Sequence, residues 1–549
     1  MKKLFPLILL MTLLTMPFAA QGETDEHFDY TISYIGASGA EEDDLYHYFC
    51  DMFNLDIEMV SYSWADYAQA ASIMINGGTM LDMMTVDTGF EMSANWAAQG
   101  LIRALPDNWK EAYPNIYAYM DNAGLVDLLT QPDGKVYCVP KAIYSHFTAG
   151  DTYLWHHTLF YRADWAEELG FTIGDTITIS ELNEFVKACQ EKDLSGTGNT
   201  LGLTLRPSVI SELMRLSSPY YNTFAKVDGS YVWGPTMDGT VEAITRIKQM
   251  YNQGILDPDF YLYGNGAEVS AFTSGQAACM LYDGLVGSYC GIIDNVVSTG
   301  VAESIDDAYD KINVTVLVND EGVWMGSETA NYCWANVFSN DMTEAEFTRL
   351  LSLLDYLYTK EAELAYNLGI QDVSWFEAED GYKLIYYNEN GDIATADFEK
   401  NLWALTRNDD GSYTIGEQVG TLTDENCPYE AKDYPSKVFW FRQAILGDDF
   451  MLADPAANPI NIERITRCYQ TRSENAATNG YRPLDFDYMF FNSQAKNEYS
   501  VDIDSEVLRI VADATIPESE VESTWNSFIG TYRNIWEPVV NDLNAAIAQ

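Results

Sequence analysis

The chain has 549 residues, 47% of them apolar, which is enough for several domains with sizeable hydrophobic cores and excludes an intrinsically disordered protein. Its formal net charge of −53 repels polyanions, so nucleic acid and anionic membrane surfaces are poor partners. None of the eight cysteines forms a Cys-x-x-Cys pair, which argues against a zinc ribbon and against a thioredoxin-like site.

Residues 1–22 have the pattern of a secretory signal peptide. Lys2 and Lys3 precede an apolar stretch, Leu4 to Met16, that is short for a membrane span, and Gly22 ends a small-residue cleavage motif. We predict cleavage after Gly22 and export, which leaves a mature chain of charge −53 − 2 = −55. An uncleaved membrane anchor is the alternative.

Strands and helices alternate from Asp29 onward. Runs rich in β-branched and aromatic residues predict strands, and longer amphipathic runs predict helices. In chain order these are a strand at 29–36, a helix at 41–53, a strand at 55–60, a helix at 64–75 and a strand at 81–86. The alternation predicts a parallel sheet covered by helices, with ligands bound beyond the carboxyl ends of the strands, where Gly36 and Asp87 lie.

The stretch from Trp96 to Pro140 combines a helix, a turn and a strand. Gly100 is predicted to end the helix in the left-handed conformation, and Pro132-Asp133-Gly134 predicts a turn. A strand is predicted at 135–139, with Pro140 ending it.

Further elements are predicted up to the C-terminus. They are a crossing strand at 152–161, helices at 165–170 and 179–191 (the latter with Ser180 as N-cap), a strand at 311–318, a helix at 343–358 opened by a Thr343–Glu346 capping box, a second helix from Lys360, a small β-excursion at 375–394 with tight turns at 380–381 and 390–391, an irregular polar stretch at 401–428, and helices at 519–548.

Several segments resemble, in order and spacing, the family 1 extracellular solute-binding proteins, the sugar-capturing subunits of bacterial ABC importers. The matching segments are WAAQGLIRALPD at 96–107, PDGKVYCVP at 132–140, YRADWAEELGF at 161–171, YNQGILDPDF at 251–260 and FTSGQAACM at 272–280. The resemblance extends from about Asp29 to Trp375.

This resemblance implies an α/β, two-lobed periplasmic-binding-protein fold of type II, with a mostly parallel, helix-covered sheet in each lobe and a ligand cleft between the lobes. The implied division is a signal peptide at 1–22, lobe 1 at 23–154, lobe 2 at 155–328, a return to lobe 1 at 329–375, and lobe 2 again at 376–549. The implied partners are an oligosaccharide and a membrane permease, and we expect a monomer without a cofactor.

A sugar site requires flat aromatic faces for the ring and planar carboxylates or amides for the hydroxyls. The chain has 13 Trp and 37 Tyr, so candidates were chosen by their position along the chain. Resemblance to the family places cleft residues near Trp155, Tyr282, Asp283, Trp324 and Trp375; further candidates are Asp87, Tyr144 and Trp64. For each of them, packing in a core or exposure on the surface is the alternative.

No metal site is predicted. Residues 193–199 fall where many members of the family carry an oxygen-rich calcium loop, but Ser195, Thr197 and Asn199 replace its expected ligands, so we interpret the loop as a degenerate turn. Neighbouring strand residues point to opposite faces, so His156 and His157 are not expected to hold one metal together.

Three alternatives remain open. A secreted glycoside hydrolase would need two carboxylates across the scissile bond, for which Asp283 and Asp87 are candidates. A binding protein for a peptide or another small solute is the second. The third concerns attachment: many members of the family are lipoproteins, but the first cysteine here is Cys50, so we expect release rather than a lipid anchor. Export permits disulfides, and for Cys138 and Cys279 a buried free thiol and a bridge both remain open.

Overall fold

The computed structural model describes residues 26–35, 44–62, 67–86, 89–141, 154–264, 266–329, 332, 334–378, 381–397, 400–408, 410–424, 426–431, 459–491 and 493–548. The predicted signal peptide lies outside the described residues, as do the candidate site residues Trp64, Asp87 and Tyr144.

Helices surround the sheets described below. In chain order they are α1 (Asp44–Phe53), α2 (Tyr67–Asn76), α3 (Gly89–Ala98), α4 (Trp109–Ala112), α5 (Pro114–Asn122), α6 (Leu125–Leu129), α7 (Ala163–Leu169), α8 (Ile179–Glu191), α9 (Ile210–Arg215), α10 (Asp238–Asn252), α11 (Ala267–Thr273), α12 (Val286–Ser298), α13 (Ile305–Lys311), α14 (Glu344–Leu357), α15 (Lys360–Leu368), α16 (Pro459–Asn479), α17 (Phe486–Phe490), α18 (Gln494–Glu498), α19 (Ile503–Ala512), α20 (Val521–Thr531) and α21 (Arg533–Ile547). Among them, none combines the length and the apolar character that crossing a bilayer requires.

The first sheet has the order β2-β1-β3-β12-β4. Its strands are β1 (Phe28–Ile35), β2 (Leu55–Tyr62), β3 (Met83–Val86), β4 (Cys138–Lys141) and β12 (Trp334–Phe338). β1 runs parallel to β2 and β3, whereas β12 runs antiparallel to β3 and β4. Its core takes buried residues from 28–139 and from 335–365, so two distant parts of the chain complete one layer of helices and sheet.

The second sheet has the order β6-β11-β5-β10-β7. Its strands are β5 (His157–Arg162), β6 (Thr176–Thr178), β7 (Leu201–Thr204), β10 (Ala277–Asp283) and β11 (Ile312–Val318). β7 runs parallel to β10 and β6 to β11, while β5 between them is antiparallel to both neighbours. Side chains alternate along β5: Leu159 and Tyr161 enter a core that includes α19 to α21, and Phe160 enters a core that includes α16. The sheet is therefore covered on both faces.

A hairpin, β8 (Phe224–Val227) and β9 (Ser230–Trp233), packs beside the second sheet, and strands also follow α15. These are β13 (Trp375–Ala378) and β14 (Gly381–Leu384), paired together, and a third sheet of β15 (Tyr386–Tyr387), β16 (Ile393–Ala396), β17 (Asn401–Arg407), β18 (Tyr413–Thr421) and β19 (Glu430–Ala431). The predicted β-excursion is confirmed at 375–394. The prediction of an irregular stretch at 401–428 is wrong, because β17 and β18 pair as antiparallel strands within it. Leu402 and Leu405 of β17 are buried, whereas β18 is mostly solvent-exposed and polar.

Two local predictions are corrected. Pro140 does not end β4 but lies within it, opposite Ala335; β4 is an edge strand, where the missing N–H interrupts no ladder. The N-cap of α8 is Thr178 rather than Ser180, because Thr178 and Glu181 form a complete capping box. The capping box of Thr343 and Glu346 on α14 is confirmed.

The cysteines of the described segments carry free thiols. Cys138 and Cys279, for which a bridge was open, are both buried and free. Burial raises the pKa of the Cys138 thiol to about 12, so it remains protonated and inert.

Candidate binding site at the edge of the second sheet

Charged and aromatic side chains meet where strands of the second sheet end. β10 ends at Asp283, which lies directly opposite His157, the first residue of the antiparallel β5. Arg206 follows two residues after the end of the parallel β7. Ligands of α/β proteins bind beyond the carboxyl ends of parallel strands, so this edge is where a binding site is expected.

A chain of hydrogen bonds joins these residues. The Trp155 indole Nε1 donates to Nδ1 of His157 at 2.8 Å, and Nε2 of His157 lies 2.9 Å from Oδ1 of Asp283. Arg206 Nη2 donates to the same Asp283 oxygen at 2.9 Å. An indole N–H only donates, so Nδ1 of His157 is the acceptor, and Nε2 carries the proton that is donated to Asp283.

A second carboxylate faces His157 from α9. Oε1 of Glu212 lies 3.4 Å from Nδ1 of His157 and accepts from Arg215 Nη1 at 2.5 Å. Both side chains are largely buried. The edge cluster, by which we mean Trp155, His156, His157, Arg206, Glu212, Arg215 and Asp283, therefore has each carboxylate paired with an arginine.

These contacts shift the ionisation of the cluster. Burial alone would raise the pKa of both carboxyl groups, but the neighbouring histidines and arginines outweigh it: the pKa of Glu212 falls to about 2 and that of Asp283 lies well below its usual range. Burial lowers the pKa of His156. For His157 burial acts the same way, but hydrogen bonds to Asp283 and Glu212 outweigh it and raise its pKa. Both carboxylates are consequently ionised at neutral pH.

A small, partly open cavity adjoins the edge cluster; its lining includes His157, Glu212, Arg215, Leu281, Trp324 and Gly326. The Trp324 ring packs closely against Gly326, where a Cβ would come within 1.8 Å of a ring carbon. Two segments far apart in the chain meet beside this cavity: Leu154 pairs with Glu328, and Trp155 N donates to Ser327 O at 3.0 Å. The close contact with the Trp324 ring explains why glycine stands at this position.

The expectation that His156 and His157 face apart is wrong. Nε2 of His156 lies 3.7 Å and Nε2 of His157 2.9 Å from the same Asp283 oxygen, because His156 precedes β5 and is not bound by strand alternation. The three side chains have the ligand types of a metal site. The Trp155 N–H donates to Nδ1 of His157 and Arg206 donates to Asp283, and the absence of a metal from these three residues stays a prediction.

The other predicted site residues have distinct environments. Tyr282 is partly buried and lies under Arg206, whose guanidinium carbon is 5.4 Å from the ring centroid. Trp375 is not part of the edge cluster: it is 4% exposed in a small core with Tyr382, and its indole donates to Gly369 O at 2.8 Å. The structure thus brings together Trp155, Asp283, Tyr282 and Trp324.

The sequence did not reveal three members of the edge cluster. Arg206, Glu212 and Arg215 lie on the segment between β7 and the end of α9, which carries no motif of the family. One available signal was the scarcity of Lys and Arg, 30 in 549 residues, which makes two arginines within the ten residues from Arg206 to Arg215 unusual.

The loop at 193–199 is closed by its own hydrogen bonds. Oδ2 of Asp193 accepts from Gly198 N at 2.8 Å, and Oδ1 accepts from Thr200 Oγ1 at 3.1 Å. Asp193 has a positive φ of 49°, and Gly196 and Gly198 of the same loop also have a positive φ. The absence of a metal from this loop stays a prediction.

The two helix-covered sheets, with a polar site at the edge of one of them, define a two-lobed α/β solute-binding protein of the periplasmic type. The chain belongs to the bacterial extracellular solute-binding protein family, whose model matches residues 45–366, more than half of the chain. This confirms the resemblance and the fold class inferred from the sequence. The family is one of exported binding proteins.

Individual relatives are distant. Lipoprotein LipO of Bacillus subtilis strain 168 is 22% identical over 353 residues, which are 61% of this chain; the chain spans 64% of that curated relative. An alginate-binding protein solved without calcium superposes with a TM-score of 0.63 at 13% identity, over 96% of this chain and 99% of that one. FusA of S. pneumoniae, an ABC-transporter substrate-binding protein solved with kestose, superposes with a TM-score of 0.61 at 15% identity, over 95% and 99%. At these identities the likeness shows the fold.

Proposed function

We propose that this chain captures an oligosaccharide between its two lobes and delivers it to the membrane permease of an ABC importer. The observation that carries the proposal is the edge cluster beside the cavity. There the aromatic rings of Trp155, Tyr282 and Trp324 lie near the charged side chains of Arg206 and Asp283. The hydrogen bond between these two charged groups fixes their directions. Aromatic faces with directional polar groups are what sugar recognition requires.

The relatives support a carbohydrate. One solved relative is an alginate-binding protein, and FusA was solved with kestose. In the lobe division inferred from the resemblance (23–154 with 329–375, and 155–328 with 376–549), all residues of the edge cluster belong to the second lobe. Closure would then be stabilised by ligand contacts with both lobes.

Catalysis is not part of the proposal. A glycoside hydrolase needs a carboxylic acid that stays protonated near neutral pH. Burial alone would favour that in Asp283 and Glu212, but their hydrogen-bonded cationic neighbours lower the pKa of each. These carboxylates are suited to accept hydrogen bonds from hydroxyl groups.

The protein is proposed to act as a monomer outside the cytoplasm, without a cofactor and without a lipid anchor. The absence of a cysteine directly after the apolar N-terminal stretch supports release. The curated relative is called a lipoprotein, so the comparison does not favour release. Partitioning of the natively exported protein between detergent and water decides this point, because a lipidated chain would enter the detergent phase.

A thermal-shift screen of Glu23 to Gln549 tests the ligand class. The panel is kestose, chitin oligosaccharides, alginate oligosaccharides and short peptides; a ligand that binds only the folded state raises the melting temperature. We expect a shift with one glycan class, lost in Trp155→Ala. Trp403→Ala is the matched control, because Trp403 lies on β17 with its N–H bound to Asp397, and it should keep the shift. If only peptides raise the melting temperature, the ligand is a peptide rather than a glycan. Hydrolysis of a glycan by the protein would overturn the binding role.

A further inference from the structure

Nδ1 of His157 has two neighbours with opposite demands. The Trp155 indole, 2.8 Å away, can only donate, and the Glu212 carboxylate, 3.4 Å away, can only accept. One ring nitrogen has either a lone pair or a proton, so it serves one partner at a time. The protonation state of His157 therefore selects between Trp155 and Glu212.

We propose that His157 is a positioning residue that holds the Trp155 indole when neutral and releases it to bind Glu212 when protonated, so that ligand capture weakens as the pH falls. The inference rests on the proposed function, because it treats Trp155 as a ligand-contacting ring. The switch concerns the side chain: the main chain of Trp155 is held separately through Ser327 O.

The surroundings of His157 suit such an exchange. Asp283, at the end of β10, holds Nε2 in both states, and Arg206 holds Asp283 in place. Glu212 on α9 is already oriented by Arg215. The remaining neighbours are the ring of His156, with a centroid 5.4 Å away, and Arg472 on α16, whose Nη1 lies 3.4 Å from His157 O. Only the bond at Nδ1 changes between the two states.

The direction of the pH effect follows from the charges. Burial favours the neutral ring, but Asp283 and Glu212 outweigh it and raise the pKa of His157 above the ordinary 6.5. The neutral, indole-binding form consequently appears as the pH rises through this raised pKa and is lost below it. Burial lowers the pKa of His156, so that neighbour stays neutral over the same range and does not supply the transition.

The first test needs no ligand. Side-chain nitrogen NMR of the mature chain resolves five histidines, and His157→Asn assigns the signal of His157. We expect the Nε2–H tautomer at about pH 8.5 and conversion to imidazolium on titration toward about pH 5.5, with a midpoint above the ordinary value and a parallel change in tryptophan fluorescence. An Nδ1–H tautomer at high pH, or a charge state constant across the range, would overturn the proposal.

The second test measures affinity for whichever panel glycan shifts the melting temperature. Affinity should fall about fivefold across the transition, the worth of one hydrogen bond. In His157→Asn, whose amide oxygen accepts from Trp155 without titrating, affinity should lose its dependence on pH over this range, whatever its absolute value. His27→Asn, an exposed histidine on the chain before β1, should keep the wild-type profile. The same pH dependence in His157→Asn would overturn the switch and leave the capture role in place. No glycan binding by the wild type at any pH would overturn the proposed function. In that case the NMR titration still tests the hydrogen bond between Trp155 and His157.

Discussion

Gly326 shows how one missing Cβ shapes the candidate site. The Trp324 ring occupies the space that any side chain at position 326 would need, and the same ring lines the cavity beside His157. Trp324 is 4% exposed, so its ring contributes to the core and to the cavity wall together. The shape of the cavity thus depends on a residue with no side chain of its own.

Gly326→Ala should displace the Trp324 ring. Overpacking of this kind costs about 1–3 kcal/mol, so the free energy of unfolding should fall by that amount and glycan affinity should fall with it. Urea denaturation and thermal shift measure the two effects. Gly291→Ala is the control, since a Cβ there meets nothing within 4 Å. Unchanged stability and affinity in Gly326→Ala would contradict the role given to this contact.

Glu212 should stabilise the fold in a pH-dependent way. Its pKa is lowered from 4.5 to about 2, since Arg215 and His157 outweigh its burial. A lowered carboxyl pKa gives stability that is present above about pH 4.5 and is lost as the pH falls toward 2, amounting to about 3 kcal/mol. Glu212→Gln should therefore be less stable than the wild type at neutral pH, and the difference should shrink at about pH 3 in urea denaturation.

The control for that experiment is Glu168→Gln. Glu168 forms an exposed pair with Lys192, and exposed pairs contribute little. Its stability should follow the wild type at each pH. A Glu212→Gln difference that is independent of pH would show that packing, rather than charge, is what Glu212 supplies.

At the scale of elements, Thr178 and Ser180 at the start of α8 should contribute differently to the free energy of unfolding, because only Thr178 caps the helix. Thr178→Ala removes a complete capping box and should cost about 1 kcal/mol in the free energy of unfolding. Ser180→Ala, two residues further on an exposed position, should change it by a few tenths at most. Thermal denaturation of both variants measures the contrast, and equal losses would mean that the cap contributes nothing specific.

Local sequence signals predicted about half of the elements. β1 to β4, the Thr343 cap and the last two helices follow from periodicity, capping residues and turns that act within a few positions. β17 and β18 were missed because their stability comes from pairing with each other, while β18 has a polar, exposed sequence that resembles a loop. Pairing partners are not visible in a local pattern.

The candidate site was predictable only in part, for the same reason. Trp155, Tyr282, Asp283 and Trp324 could be chosen because the resemblance to the family places cleft residues near them. Arg206, Glu212 and Arg215 reach the site through the fold of the second sheet, and the joint contact of His156 and His157 with Asp283 depends on where β5 begins. Because β5 begins at His157 and not at His156, the two histidines contact the same Asp283 oxygen instead of facing apart.

For the whole molecule, we expect ligand-dependent compaction. If the two lobes close on a glycan, the radius of gyration from small-angle X-ray scattering should decrease when the glycan that shifts the melting temperature is added. Trp155→Ala should not compact at the same glycan concentration. Binding by the wild type without any decrease would rule out closure while leaving capture in place.

The arrangement of the first sheet also has a consequence for biosynthesis. β12, from residues 334–338, lies between β3 and β4 and is the strand that joins them. Tyr30 likewise donates to Glu346 O across 316 positions of the chain. An exported chain emerges from its N-terminus, so β4 has no partner strand until most of the polypeptide has crossed the membrane. The first sheet can therefore be completed only after residues 334–338 have emerged.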